Sequence, residues 1–328
     1  MFVFFNSEFN FERFCMQIES FFQTMSDGFE LFVNRWIVDE GSDVKGVVCF
    51  CHGMQEHIMR YDRIATYFTE HGYIFNAYDQ RGHGKTAQNS IEKNKGDFMI
   101  LAEKNGFERV TDDLHEILSA LKNKYPDKKI ILASHSFGSL VTQNYIETYG
   151  KTLIDSCVLI GTSGPNPLAP FGLFLNRIFS PFVNKNKGSK FFDKLVFGSY
   201  LNHIPKKERL TSSDWLSVNR DNINLFKMDA WCGKLPSFSF FKDLLSLVSK
   251  ISKKKNIKKI PENLPLLFMY GTEDPVGNYG KSIQKLIFEC KKNGVQTVDF
   301  KAYVGLRHEI LNESEWKAIC DDLISWIS

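Results

Sequence analysis

The chain has 328 residues, 43% of them hydrophobic, and a formal net charge of +3. That length suits one large α/β domain with an insertion, or two domains, around a substantial core. A charge so near neutral excludes a strong pull toward nucleic acid, and the Lys-rich stretch 253–259 reads as a solvated linker rather than a binding patch. The start, Met1-Phe2-Val3-Phe4-Phe5, runs at once into Asn6, Ser7 and Glu8. It lacks the basic segment and longer apolar run of a signal peptide, and no stretch is long enough to span a bilayer. Seven cysteines (Cys15, Cys49, Cys51, Cys157, Cys232, Cys290, Cys320) are odd in number and scattered. They fit reduced thiols in a cytoplasmic protein.

Residues 1–18, with six phenylalanines in the first fourteen, form an extension of unassigned role. Residues 19–25 and 29–38 are strand-like runs about Ser26-Asp27-Gly28, which predicts a hairpin. Residues 44–51 read as a buried strand, followed by the loop His52-Gly53-Met54-Gln55-Glu56-His57, a helix over 61–70 and a strand over 73–78. That strand ends in the turn Asp79-Gln80-Arg81-Gly82-His83-Gly84. Phe107, Val110, Leu114, Ile117, Leu118 and Leu121 share one face of a helix over 107–124. The apolar run 130–133 then leads into Ser134-His135-Ser136-Phe137-Gly138-Ser139 at the start of the next helix. Strands over 156–161, 265–270 and 297–304 and a helix over 281–292 follow. The last helix carries the stripe Trp316, Ile319, Cys320, Leu323, Ile324 and Ile327, with Asn312 and Glu315 spaced as a capping box.

A hairpin followed by alternating strands and helices predicts an α/β fold, a mostly parallel central sheet with helices on both faces. Over 165–262 the alternation stops. Phe171, Leu173, Phe174, Leu175, Ile178, Phe179 and Phe182, then Phe191, Phe192, Leu195, Val196 and Phe197, read as short helices. The division expected is a core of 19–164 and 263–328 with a helical lid, 165–262, over the carboxyl ends of the strands, where such sheets carry their sites.

Ser136 sits at a strand-to-helix bend, where the residues two before and two after must be small; Ser134 and Gly138 satisfy this. The bland alternative is a serine cap at a helix start. A serine nucleophile needs a base, because its alcohol does not ionise near neutral pH. Among eight histidines, His308 is best placed, in the loop after the last strand. His52 suggests a backbone role beside Gly53, His71 and His115 lie on or beside helices, His135 should point away from Ser136, and His57, His83 and His203 lie in less favourable loops. Asp274, four residues past a strand, would orient His308, with Glu273 as competitor. The amides of Phe137 and Met54 would hold an oxyanion.

Other motifs fail. Gly84-Lys85-Thr86 has Asp79 where a phosphate loop needs its first glycine. His115-Glu116 and His308-Glu309 meet Ser119 and Asn312 where a zinc motif needs a second histidine, and Cys49-x-Cys51 has no partner pair. No metal or cofactor is expected.

From residue 19 onward the chain resembles the α/β-hydrolase superfamily, and within it the monoacylglycerol lipase and lysophospholipase-like serine hydrolases. The resemblance rests on His52-Gly53-Met54-Gln55-Glu56-His57 with Arg60-Tyr61, on Asp79-Gln80-Arg81-Gly82-His83-Gly84, and on the Ser136 elbow. Gly271-Thr272-Glu273-Asp274 and Arg307-His308-Glu309-Ile310-Leu311-Asn312-Glu313 complete it. It implies an acyl-chain tunnel under the lid and a single-acyl lipid ester, a monoacylglycerol or lysophospholipid, as substrate. The residues matching Glu56 and Arg60 lie near the substrate's polar head or brace the loop around it. The animal monoacylglycerol lipases have a second histidine where this chain has Leu311. Dehalogenases and epoxide hydrolases of this fold need aspartate at Ser136, and prolyl aminopeptidase relatives usually carry further glycine and proline after His-Gly. Other esterases, thioesterases or peptidases, and a non-catalytic lipid-binding protein, remain alternatives. The segment 171–182 is either a buried lid helix or a peripheral membrane contact. Oligomeric state is not legible.

Overall fold

The strands come in chain order as β1 (Gln17–Thr24), β2 (Glu30–Ile37), β3 (Gly46–Cys51), β4 (Tyr73–Tyr78), β5 (Ile130–His135), β6 (Ser156–Ile160), β7 (Leu266–Gly271) and β8 (Val298–Tyr303). They belong to a computed structural model that describes residues 17–39, 41 and 43–328. Residues 1–16, most of the N-terminal extension, lie outside the described residues. All eight strands join one sheet in the order β1-β2-β4-β3-β5-β6-β7-β8. The hairpin β1–β2 is antiparallel and β2 runs antiparallel to β4, while every other neighbouring pair is parallel. The central strands β3, β4, β5 and β7 are buried along their whole length. Strands covered on both faces read as continuous apolar runs, which is how residues 46–51 and 130–133 look in sequence.

Helices α1 (Asp62–Glu70) and α11 (Trp316–Ile327) cover one face through Ile64, Phe68, Ile319 and Leu323. On the other face lie α3 (Gly106–Lys124), α4 (Phe137–Thr148) and α10 (Lys281–Lys292), through Leu114, Leu118, Tyr145 and Leu286. The turn after β4 is followed by a helix the sequence reading lacks, α2 (Gly84–Glu92); it has no strong apolar stripe to announce it. The expected capping box at α11 is absent. Glu315 occupies the cap position without a side-chain bond, and Asn312 instead accepts from Arg63.

Between β6 and β7 the chain forms α5 (Ala169–Phe179), α6 (Lys190–Phe197), α7 (Arg220–Met228), α8 (Phe238–Ile251) and α9 (Lys254–Ile257). This segment is not all alike. Helix α8 packs on α3 and α4, and its Phe240 and Phe241 are fully buried, so it belongs to the core layer. Helix α9 buries Asn256 and Ile257, so the Lys-rich stretch is partly folded rather than a solvated linker. By contrast α5 leaves Phe171, Phe174, Ile178 and Phe179 exposed. No helix among the described residues is long and apolar enough to cross a membrane.

Register positions the site. Cys51 pairs with Ser134 and His135 with Ile160, so the loop after β3 and the turn after β5 leave the sheet side by side.

Candidate active site

Ser136, between β5 and α4, has φ 51° and ψ −120°. That conformation is sparsely populated for a residue with a side chain and costs on the order of 1–3 kcal/mol. The surroundings enforce it. The Ser136 amide donates to Ile160 O at 3.0 Å, and a Cβ on Gly138 would run into the carbonyl oxygens of Cys51 and His52. Ser134, where the usual pattern has glycine, is buried and donates its hydroxyl to Val158 O at 3.2 Å.

The Ser136 hydroxyl lies 2.7 Å from His308 Nε2, and His308 Nδ1 lies 3.0 Å from Asp274 Oδ2. A carboxylate only accepts, so Nδ1 carries the proton and Nε2 faces the serine with its lone pair. Asp274 and His308 are buried and Ser136 is half-buried, while Glu273 is exposed. The other carboxylate oxygen of Asp274 accepts from the Val276 amide at 2.9 Å. Among the described residues no other histidine is hydrogen-bonded to Ser136. His115 and His203 stack on Tyr149 and Tyr279, and His71 lies tilted against Tyr67.

Met54 and Phe137 are on neighbouring turns. A Cβ on Gly53 would lie 3.0 Å from Ser136 Cβ, so the Met54 amide follows a residue already in contact with the serine. Among the described residues neither the Met54 nor the Phe137 N–H donates to a protein acceptor.

Behind this loop lies a buried charge network. Glu56 Oε1 accepts from the Gly53 amide at 2.6 Å, from Tyr61 at 2.8 Å and from His135 Nδ1 at 2.9 Å, while its Oε2 accepts from Arg60 at 2.7 Å. Arg60 also donates to both oxygens of Glu309, at 2.8 and 2.6 Å, and to Asn222. Burial pushes the Glu56 carboxyl up, but the His135 bond and the Arg60 charge outweigh it and hold it well below the usual range. For His135 burial works downward and the Glu56 bond more than reverses it. Both oxygens of Glu56 are thus hydrogen-bonded inside the protein, and Arg60 links Glu56 to Glu309.

His135 was expected to point away without a role. Its ring instead lies 4.8 Å from that of His308, and its Nε2 lies 3.3 Å from the His308 carbonyl. One network therefore touches the loop of Met54, the elbow and the loop of His308. His52 holds the same loop from the other side: the Gln80 amide donates to its Nε2 at 3.0 Å, and Gln80 Nε2 donates to the His52 carbonyl at 2.6 Å. Burial and the neighbouring His83 lower its pKa to about 3, so it stays neutral. From the segment between β6 and β7, Trp215 lies 5.2 Å from the His308 ring, and Leu216 O accepts from the Glu309 amide at 2.7 Å. Leu311 is buried in the core cluster that also holds residues of α1 and α11. Trp215 escaped the sequence reading, and so did the contacts that His135 and Glu309 make here.

The profile of the family described as "Serine aminopeptidase, S33" matches residues 42–315. The chain belongs to this family. Its fold is the α/β-hydrolase fold. This S33-family chain is 25% identical over 306 residues to a monoacylglycerol lipase of Mycolicibacterium smegmatis, covering 92% of this chain and 93% of the relative. It is 24% identical to the monoglyceride lipase of Mus musculus, over 92% and 88% of the two chains. Among solved structures, a thermostable carboxyl esterase from Bacillus coagulans in complex with glycerol superposes with a TM-score of 0.85 at 25% identity, covering 95% of this chain and 98% of the other. A soluble variant of the Saccharomyces cerevisiae monoglyceride lipase, with a substrate analog, gives a TM-score of 0.70 at 20% identity over 95% and 94%.

Proposed function

We propose that this protein is a serine carboxylic-ester hydrolase acting on a single-acyl lipid through an acyl-enzyme. The carrying observation is the hydrogen-bonded chain Ser136–His308–Asp274 at a strained elbow. Ser136 Oγ attacks the ester carbonyl while His308 Nε2 takes its proton. The oxyanion is received by the Met54 and Phe137 amides, each worth about 3 kcal/mol to the transition state. His308 then gives the proton to the departing alcohol, and deprotonates the water that releases the acid. Asp274 keeps His308 in the productive tautomer. Glu56, Arg60 and His135 brace the three loops.

A lipid substrate is favoured by the names of the relatives and by the aromatic segment between β6 and β7. Residues 165–236 act as the lid, narrower than the segment expected from sequence because α8 is core. The exposed face of α5, with Arg177, Lys185 and Lys187 in or after it, is a peripheral membrane contact that delivers lipid to the site. Phe174→Asp with Phe179→Asp should abolish co-sedimentation with anionic liposomes while leaving hydrolysis of a soluble ester intact; unchanged co-sedimentation counts against this contact.

Ser136→Ala should abolish both p-nitrophenyl ester hydrolysis and labelling by a fluorophosphonate probe. Labelling that persists would place the nucleophile elsewhere. Wild-type protein that binds lipid but shows neither reaction would instead favour the non-catalytic carrier.

A further inference from the structure

A second group of chemically capable side chains lies beside the braced loop. His57 closes the loop after β3, while Asp229 and Cys232 lie in the turn after α7. One ligand atom from each falls within 4.8 Å of the other two, the only such group of His, Cys, Asp and Glu among the described residues. His57 Nε2 is 2.8 Å from Asp229 Oδ2. His57 and Cys232 are buried, whereas about a third of the Asp229 side chain is open, at 30%.

Two further observations point to a ligand. His57 Nδ1 is buried with no hydrogen-bond partner, so the ring is only half satisfied by the pair it makes. While His57 is neutral the local charge is also unbalanced: Arg60 stands against Glu56, Glu309 and Asp229, and a protonated His135 still leaves the cluster negative. Imidazole, thiolate and carboxylate together select a borderline-soft dication over magnesium or calcium, which prefer oxygen alone. Three protein ligands with one water-facing side match an open tetrahedral site.

We propose that His57, Asp229 and Cys232 bind a zinc-class divalent cation, and that the bound ion clamps the turn after α7 to the loop carrying Met54. Binding forms a metal–sulfur bond and releases the Cys232 thiol proton to solvent, with no redox change. The link to the site is short. The Gly233 amide already donates to Gln55 O at 3.0 Å and Gln55 Nε2 to Lys234 O at 2.8 Å, so an ion at Cys232 would stiffen residues flanking Met54. Sequence motifs miss the site because its ligands lie 172 residues apart in the chain.

The test is titration of the full-length protein with Co2+ as a spectroscopic stand-in, read by the near-ultraviolet thiolate-to-cobalt charge-transfer band. One ion per chain is expected. Cys232→Ser should remove the band, and His57→Gln should weaken binding roughly tenfold or more. Zn2+ should raise the melting temperature and slow hydrolysis of a soluble ester in the wild type but not in Cys232→Ser, whose activity without metal should be normal. A band that survives Cys232→Ser, or no band at millimolar Co2+, overturns the site. A band with unaltered hydrolysis overturns the clamp. The spectrum does not depend on turnover, so failure of the hydrolase assignment would be seen separately.

Discussion

Gly53→Ala tests whether the brace, and not merely the triad, sets the chemistry. The added Cβ would lie 2.5 Å from Glu56 Oε1 and 3.0 Å from both His135 Nδ1 and Ser136 Cβ, whereas unstrained contacts to carbon are about 3.5 Å. Relief requires roughly 1 Å of movement by the carboxylate or the loop. The carboxylate holds three bonds through that oxygen, to Gly53, Tyr61 and His135. Hydrogen bonds to charged groups are worth about 1.5–3 kcal/mol each, so stretching one or two costs about 2–5 kcal/mol. That is a large share of a typical 5–15 kcal/mol total but leaves a folded enzyme. If the loop moves instead, the Met54 amide leaves the oxyanion position proposed for it, a loss of about 3 kcal/mol, or roughly 100-fold in kcat. Urea unfolding should show a lower midpoint at unchanged slope, and ester hydrolysis a fallen kcat with KM nearly constant. Gly28→Ala is the control, since nothing lies within 4 Å of its Cβ and only backbone strain is added. Folded Gly53→Ala with wild-type kcat would refute the reasoning.

Asp274→Asn should leave the fold intact and lower kcat by roughly 10⁴, because Nδ1–H loses its charged acceptor and the wrong tautomer is favoured; a loss under tenfold would show that His308 is held by other contacts. Glu147, buried near Cys290, has its pKa raised by burial to about 8, against the pull of Lys250 and Lys259. The folded chain therefore keeps a proton that the unfolded chain sheds from about pH 4.5, so stability should fall as pH rises between these two values. Glu147→Gln should be more stable than the wild type by a few kcal/mol above pH 8, with the difference fading toward pH 5 in denaturant melts. A pH-independent difference would show that Glu147 is solvated.

The sheet was legible because its strands are apolar throughout and the turns between them carry glycine, so β3, β5 and β7 fall within two residues at either end of the runs 44–51, 130–133 and 265–270 read as strands. Helix α2 was not, since Gly84, Thr86, Ala87 and Ser90 bury small groups rather than a stripe of large ones. The three residues of the hydrogen-bonded chain were legible for a related reason: each follows a strand, and strand ends converge. His135 was missed because adjacency to the serine suggested opposition, while the bend at Ser136 turns its imidazole beneath His308. Trp215 and Asp229 lie in a segment with no repeating pattern, and nothing in a one-dimensional reading brings position 229 to position 57. The place of α8 in the core layer was not legible because its phenylalanines look like those of α5. Only packing distinguishes an aromatic face turned to α4 from one turned to water.

The left-handed backbone at Ser136 has an evolutionary corollary. Glycine there would relieve the strain and leave Gly138 and the Ile160 bond undisturbed, so the sturdiest version of this turn is an inert one. Drift toward greater robustness at position 136 thus runs opposite to retention of a nucleophile. A lineage keeping serine at such a bend keeps it under purifying pressure from the reaction itself, whereas a lineage released from that pressure has a downhill path to a quiet scaffold.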